Sequence, residues 1–148
     1  MLSKVSLAAI LSLCSLPVFA NCQVTVEGND AMQFNTKEIV IDKACTEFTI
    51  ELKHTGKLPK ASMGHNVVIS KKSDETAVAT DGMAAGLDKD YVKPGDERVI
   101  AHTAVIGGGE TATLTFDVSQ LKEGEDYAFY CSFPGHWTMM TGKIAVAN

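Results

Sequence analysis

Beyond residue 21, apolar and polar positions alternate in short runs with a period of two. Cys22-Gln23-Val24-Thr25-Val26, Phe48-Thr49-Ile50-Glu51-Leu52 and Leu114-Thr115-Phe116-Asp117-Val118 each put their apolar side chains on one face of an extended strand. Tyr127, Phe129 and Cys131 share a face in the same way. The pattern predicts further strands at 39–41, 66–70, 98–103 and 143–147. Breaks rich in Gly, Asn and Asp separate them: Gly28-Asn29-Asp30, Lys93-Pro94-Gly95-Asp96, Gly107-Gly108-Gly109 and Glu123-Gly124-Glu125. About seven or eight short strands with turns at this spacing define an all-β sandwich.

Two stretches depart from that period. Residues 73–87 are rich in Ala and acidic side chains, with Ser73 and Asp74 as N-cap candidates before Glu75. They predict one short inserted helix ending near Asp81-Gly82 or Gly86. Residues 1–20 carry a single charge, Lys4, then an apolar run too short to span a bilayer and a Val18-Phe19-Ala20 ending. This reads as a cleaved signal peptide, leaving one domain over 21–148. A lipid anchor on Cys14 or Cys22 fits poorly, because Leu13 and Asn21 are not the small residues that such a signal places before its Cys. Removal of Lys4 takes the net charge from −5 to −6. A mildly acidic chain without basic runs argues against nucleic acid and anionic membranes as partners.

Export means an oxidising compartment, where thiols tend to pair. Cys14 leaves with the leader, so Cys22, Cys45 and Cys131 remain. Cys22 and Cys45 flank strand-like segments and could meet across a sheet, with Cys131 left over. An odd Cys in an exported protein is metal-bound, paired with another chain, or a buried inert thiol. The neighbours of Cys131 favour the metal. Cys131-Ser132-Phe133-Pro134-Gly135-His136-Trp137-Thr138-Met139-Met140 holds thiol, imidazole and thioether within ten residues. Two histidines, a thiolate and a weak axial Met make a blue-copper electron-transfer site. That loop lacks one His. His65 has the setting to supply it: Gly64 before it lets the backbone approach a metal, and an apolar strand follows. His54 and His102 read as ordinary surface or half-buried histidines.

Gly64-His65-Asn66, followed by Cys131-x-Phe133-Pro134-Gly135-His136-x-x-x-Met140, resembles the azurins, the bacterial blue-copper proteins of the cupredoxin family. The likeness extends to Gln33-Phe34-Asn35, Leu58-Pro59-Lys60, Asp81-Gly82-Met83, Leu87-Asp88-Lys89-Asp90-Tyr91 and Leu121-Lys122-Glu123-Gly124-Glu125. The resemblance implies a cupredoxin-like Greek-key sandwich and one copper per chain. It makes His65, Cys131 and His136 the equatorial ligands, with Met140 and the Gly64 carbonyl as weak axial ones. It implies a Cys22–Cys45 disulfide, an Asn66 bond across to the ligand loop, and N–H groups of Asn66 and Phe133 aimed at the Cys131 sulfur. His54 and His102 fall outside the copper sphere. Three positions stand apart from common azurin patterns: Trp137, Val67 and the extra thioether of Met139.

Met32, Leu58, Met63, Met83, Pro134, Gly135, Trp137 and Met139 are expected to form an apolar patch around His136, where electrons pass during brief encounters. The implied partners are small redox proteins such as c-type cytochromes or copper-containing reductases, the compartment the periplasm, and the state a monomer with no membrane insertion. A thiol hydrolase would need an orienting Asp or Asn that this spacing does not provide. A copper oxidase or nitrite reductase would need a second, open metal site. Copper delivery would favour an exposed, exchangeable motif, and zinc in the same ligands would be redox-silent. No enzymatic activity is expected.

Overall fold

A computed structural model describes residues 20–147; the signal peptide expected over residues 1–20 lies outside the described residues except for Ala20. Eight strands occur in the order β1 (Gln23–Gly28), β2 (Glu38–Asp42), β3 (Glu47–His54), β4 (Val68–Lys71), β5 (Val99–His102), β6 (Thr111–Asp117), β7 (Tyr127–Tyr130) and β8 (Thr141–Ala147). They form two sheets, ordered β1-β3-β6 and β2-β8-β7-β4-β5. β1 runs parallel to β3 and β2 parallel to β8, while the other pairings are antiparallel. Since β1 and β2 lie in different sheets, the chain crosses the sandwich at its outset, as Greek-key connections do. Alternate residues of β2 and β3 fill the space between the sheets: Ile39, Ile41, Phe48, Ile50 and Leu52 are all buried, each side chain contributing about 1.5–3 kcal/mol. Cys22 and Cys45 form a disulfide that ties the first strand to the start of β3.

The inserted helix is α2 (Glu75–Ala85), preceded by the single turn α1 (Lys60–Met63) in the connection to β4. A 3₁₀ turn over Lys72–Asp74 leads into α2, and neither Ser73 nor Asp74 caps it through its side chain. At the other end Gly86, at φ +78°, stops the helix. Alternation fails in β7, where all four residues are buried. A second apolar cluster of Val68, Val78, Ala79, Val92, Ala128 and Tyr130 covers its outer face. Both faces of the strand leading to Cys131 are therefore packed, and the ligand loop springs from a rigid base.

Candidate metal centre

The predicted donors arrive from two places. Cys131 and Met140 bound a loop closed at its neck by the Cys131 N–H donating to the Met140 carbonyl at 3.0 Å. Within it Phe133-Pro134-Gly135-His136 makes a tight turn, with the His136 N–H donating to the Phe133 carbonyl at 2.9 Å. Gly135 sits at φ +82°, the position such a turn reserves for Gly, and Pro134 presets the step before it. The Met140 N–H then returns to the His136 carbonyl at 2.8 Å. His65 lies just before β4, held by a two-way backbone exchange with Ile106 at 3.0 and 2.8 Å.

Nδ1 of His136 is 3.6 Å and Nδ1 of His65 3.9 Å from the Cys131 Sγ, and the three donors lie within 4.8 Å of one another. An ion central to a triangle of such sides would be roughly 2.1–2.4 Å from each donor, close to the lengths of nitrogen and thiolate bonds to a first-row divalent metal. The Gly64 carbonyl stands 3.9 Å from the same sulfur. Met140 is wholly buried, its methyl beside the backbone of Gly28. Soft sulfur, borderline imidazole and a carbonyl at these places fit copper.

Protonation also suits a metal. His65 Nε2–H donates to the Asn29 carbonyl at 2.8 Å, which leaves the Nδ1 lone pair facing Cys131. Burial lowers the pKa of His65, opposed by that bond, and burial pulls His136 down to about 4, helped by the nearby His65 and His54 rings. Both rings thus stay neutral, as ligands must be. Burial pushes the Cys131 thiol up to about 12, opposed by the Asn66 and Phe133 N–H groups aimed at it. Those amides are donors waiting for a thiolate that a cation would stabilise. The Asn66 side chain spans the gap between ligand segments: Oδ1 accepts from the Ser132 N–H and Nδ2 donates to the Ser132 hydroxyl, each at 2.8 Å.

His54 corrects an expectation. It is 2 % exposed, stacks on His65 with ring centroids 4.3 Å apart, donates from Nε2 to the Met63 carbonyl and accepts the Gly56 N–H on Nδ1. His102 is exposed, as expected. Two further contributors were not foreseen. Gly28 lies flat against the His65 ring, and Asn29 acts through its backbone carbonyl. The Gly28-Asn29-Asp30 turn was a visible signal, but nothing in it pointed to His65.

Of the apolar patch residues, Leu58, Met83 and Met139 are 40–48 % exposed and Gly135 is exposed. Met32, Met63, Pro134 and Trp137 are half-buried, Trp137 packing against the cluster beneath α2. His136 itself retains 4 % exposure.

Residues 20–147 match the family of copper binding proteins described as plastocyanin/azurin. The chain is 76 % identical over 127 residues to azurin of Alcaligenes faecalis, covering 86 % of this chain and 99 % of that one. It is 56 % identical over 147 residues to azurin of Pseudomonas aeruginosa, covering 99 % of each. Its fold superposes on that of the azurin Az-iso2 from the obligate methylotroph Methylomonas sp. strain J with a TM-score of 0.84 at 44 % identity, over 87 % of this chain and all of that one.

Proposed function

The chain belongs to the plastocyanin/azurin family of copper-binding proteins, and from that premise we propose that His65, Cys131 and His136 hold one copper ion, with Met140 and the Gly64 carbonyl as weak axial donors. The protein is a copper electron-transfer protein and not an enzyme. The observation that carries the site assignment is the convergence of two neutral imidazoles on one fully buried thiol. Bound copper supplies one-electron Cu(II)/Cu(I) chemistry, which asks of its ligands that they move little between states. Here the loop turn fixes His136, the Ile106 exchange and the Asn29 carbonyl fix His65, and the Asn66 bridge fixes the spacing between them. The N–H groups of Asn66 and Phe133 disperse charge on the Cys131 sulfur.

Electrons pass through His136, the donor whose edge reaches solvent among exposed Gly135 and Met139. The apolar surface formed by the loop with Leu58, Met63 and Met83 receives small redox proteins such as c-type cytochromes or copper-containing reductases in brief encounters. The site of action is the periplasm, reached by removal of residues 1–20, and the working form is a monomer. Among the described residues no helix is long and apolar enough to cross a membrane.

One equivalent of copper should give the oxidised protein an intense red-absorbing thiolate-to-copper band that Cys131→Ser abolishes. A colourless copper-loaded protein would refute the site. For the electron path, His136→Gly should slow transfer to a partner protein, and an unchanged rate would refute it.

A further inference from the structure

Between α2 and β5 the backbone does something that ordinary side chains resist. Asp90 and Tyr91 stand consecutively in the left-handed region, at φ +56° and +51°, with no glycine to ease the step. A conformation this unfavourable persists where surrounding contacts impose it. The contacts converge on the metal centre. The Asp90 carbonyl accepts the Asn66 Nδ2–H at 2.8 Å and faces the Ser132 hydroxyl at 3.5 Å. Its carboxylate Oδ1 takes the Val105 N–H at 2.7 Å, next to the Ile106 backbone that pairs with His65. The Tyr91 ring meets Phe133 edge-on at 5.2 Å, and Phe133 lies 4.6 Å from the His136 ring. From behind, Gly82 of α2 lets the Tyr91 carbonyl approach so closely that no Cβ would fit.

We propose that the Asp90–Tyr91 step is a positioning element of the copper site. It clasps the His65 segment, its partner at Val105 and Ile106, and the Cys131 loop to one point. The Asn66 side chain bridges the two ligand-bearing segments through Ser132, and the second hydrogen of its NH₂ group needs an acceptor before the amide is fixed. Asp90 holds it. Because a left-handed turn is needed to aim carbonyl and carboxylate in these two directions, residues that tolerate that conformation and carry an acceptor, Asp or Asn, suit the position.

The proposal rests on the copper reading for one of its two readouts. In the metal-free protein, Asp90→Ala should raise amide hydrogen exchange at Ser132 and Val105 about tenfold, the worth of one lost hydrogen bond, while Ile50 in the other sheet is unchanged. Asp90→Asn should restore the wild-type pattern. With copper, Asp90→Ala should lower affinity in chelator competition by roughly tenfold and alter the charge-transfer band, as loss of a ligand-orienting partner does, and Asp90→Asn should rescue both. Should Asp90→Ala not fold, Asp90→Gly keeps the left-handed backbone and its carbonyl and lacks only the carboxylate, so exchange should rise at Val105 while Ser132 keeps its wild-type rate. Unchanged exchange at Ser132 in Asp90→Ala, unchanged exchange at Val105 in Asp90→Gly, or altered exchange with affinity and band intact, overturns the proposal. A wild-type protein without the band would overturn the copper reading instead, and the exchange pattern would then decide the clasp alone.

Discussion

Gly28→Ala is a sharp test of how the His65 ring is held. A Cβ at position 28 would lie 2.8 Å from His65 Cδ2, 3.3 Å from its Cγ and 3.4 Å from the Met140 methyl. Ordinary carbon contacts begin near ~3.5 Å, so ring or strand must yield by about 0.7 Å. Asn29 adjoins Gly28, so pushing the ring off one lengthens its bond to the other, now 2.8 Å, towards the ~3.5 Å at which a hydrogen bond is lost. Crowding costs about 1–3 kcal/mol and the weakened bond about 1, offset by roughly 0.5–1 from the lower entropy of the unfolded chain. The net loss is about 2 kcal/mol, or some 5–10 °C in Tm.

Thermal melts of the metal-free protein measure that loss, and the copper spectrum measures the ring displacement. Gly142→Ala is the control. Its Cβ would collide with the Phe129 ring in the core, so it should destabilise without altering the copper band. Gly28→Ala with a wild-type Tm and an unchanged band would show that the ring is not held by this contact, and the reasoning would fall.

Three further outcomes are expected. Replacing both Cys22 and Cys45 by Ala opens a loop of two dozen residues and should cost about 3 kcal/mol, read from the urea midpoint at constant slope. The metal-free protein should lose stability as pH falls from about 6.5 towards 4, because the unfolded chain takes up protons that buried His136 and His65 refuse. That contribution is complete above the ordinary histidine value, so a midpoint flat between pH 7.5 and 5 would contradict it. Asp96 is held below its ordinary range by the Arg98 fork, with bonds of 2.8 and 2.6 Å, so its contribution is complete at neutral pH and lost as acid protonates it. Asp96→Asn should therefore lower stability at pH 7 and flatten the acid limb of the curve.

What the sequence made legible follows from which interactions are local. Strands with one wet face, such as β2 and β3, announce themselves by alternation, and their boundaries fall within two or three residues of expectation. The donor loop was legible because thiol, imidazole and thioether sit within ten residues and the turn that folds them together is written as Pro134-Gly135. Even the distant donor His65 carried a mark, the Gly64 whose missing Cβ leaves room for Val105 and Phe133. His54 carried none. Its burial arises from Met63, Gly56 and His65, a carbonyl, an amide and a ring brought together only by the fold. Asn29 was illegible for a stronger reason: it acts through a backbone carbonyl, which every residue type possesses.

Trp137 shows the same division within one residue. Its place in the loop beside His136 put it among the patch side chains, and an exposed indole there would be a natural anchor for a partner. Yet Trp137 is half-buried and packs against the cluster that includes Val68, Val78 and Tyr130, built by β4, α2 and β7. An indole committed to that cluster fastens the loop to the helix side of the sandwich, just as the Asn66 bridge fastens it to the His65 side. Held from both directions, the loop leaves Gly135, Thr138 and Met139 as its exposed rim beside His136.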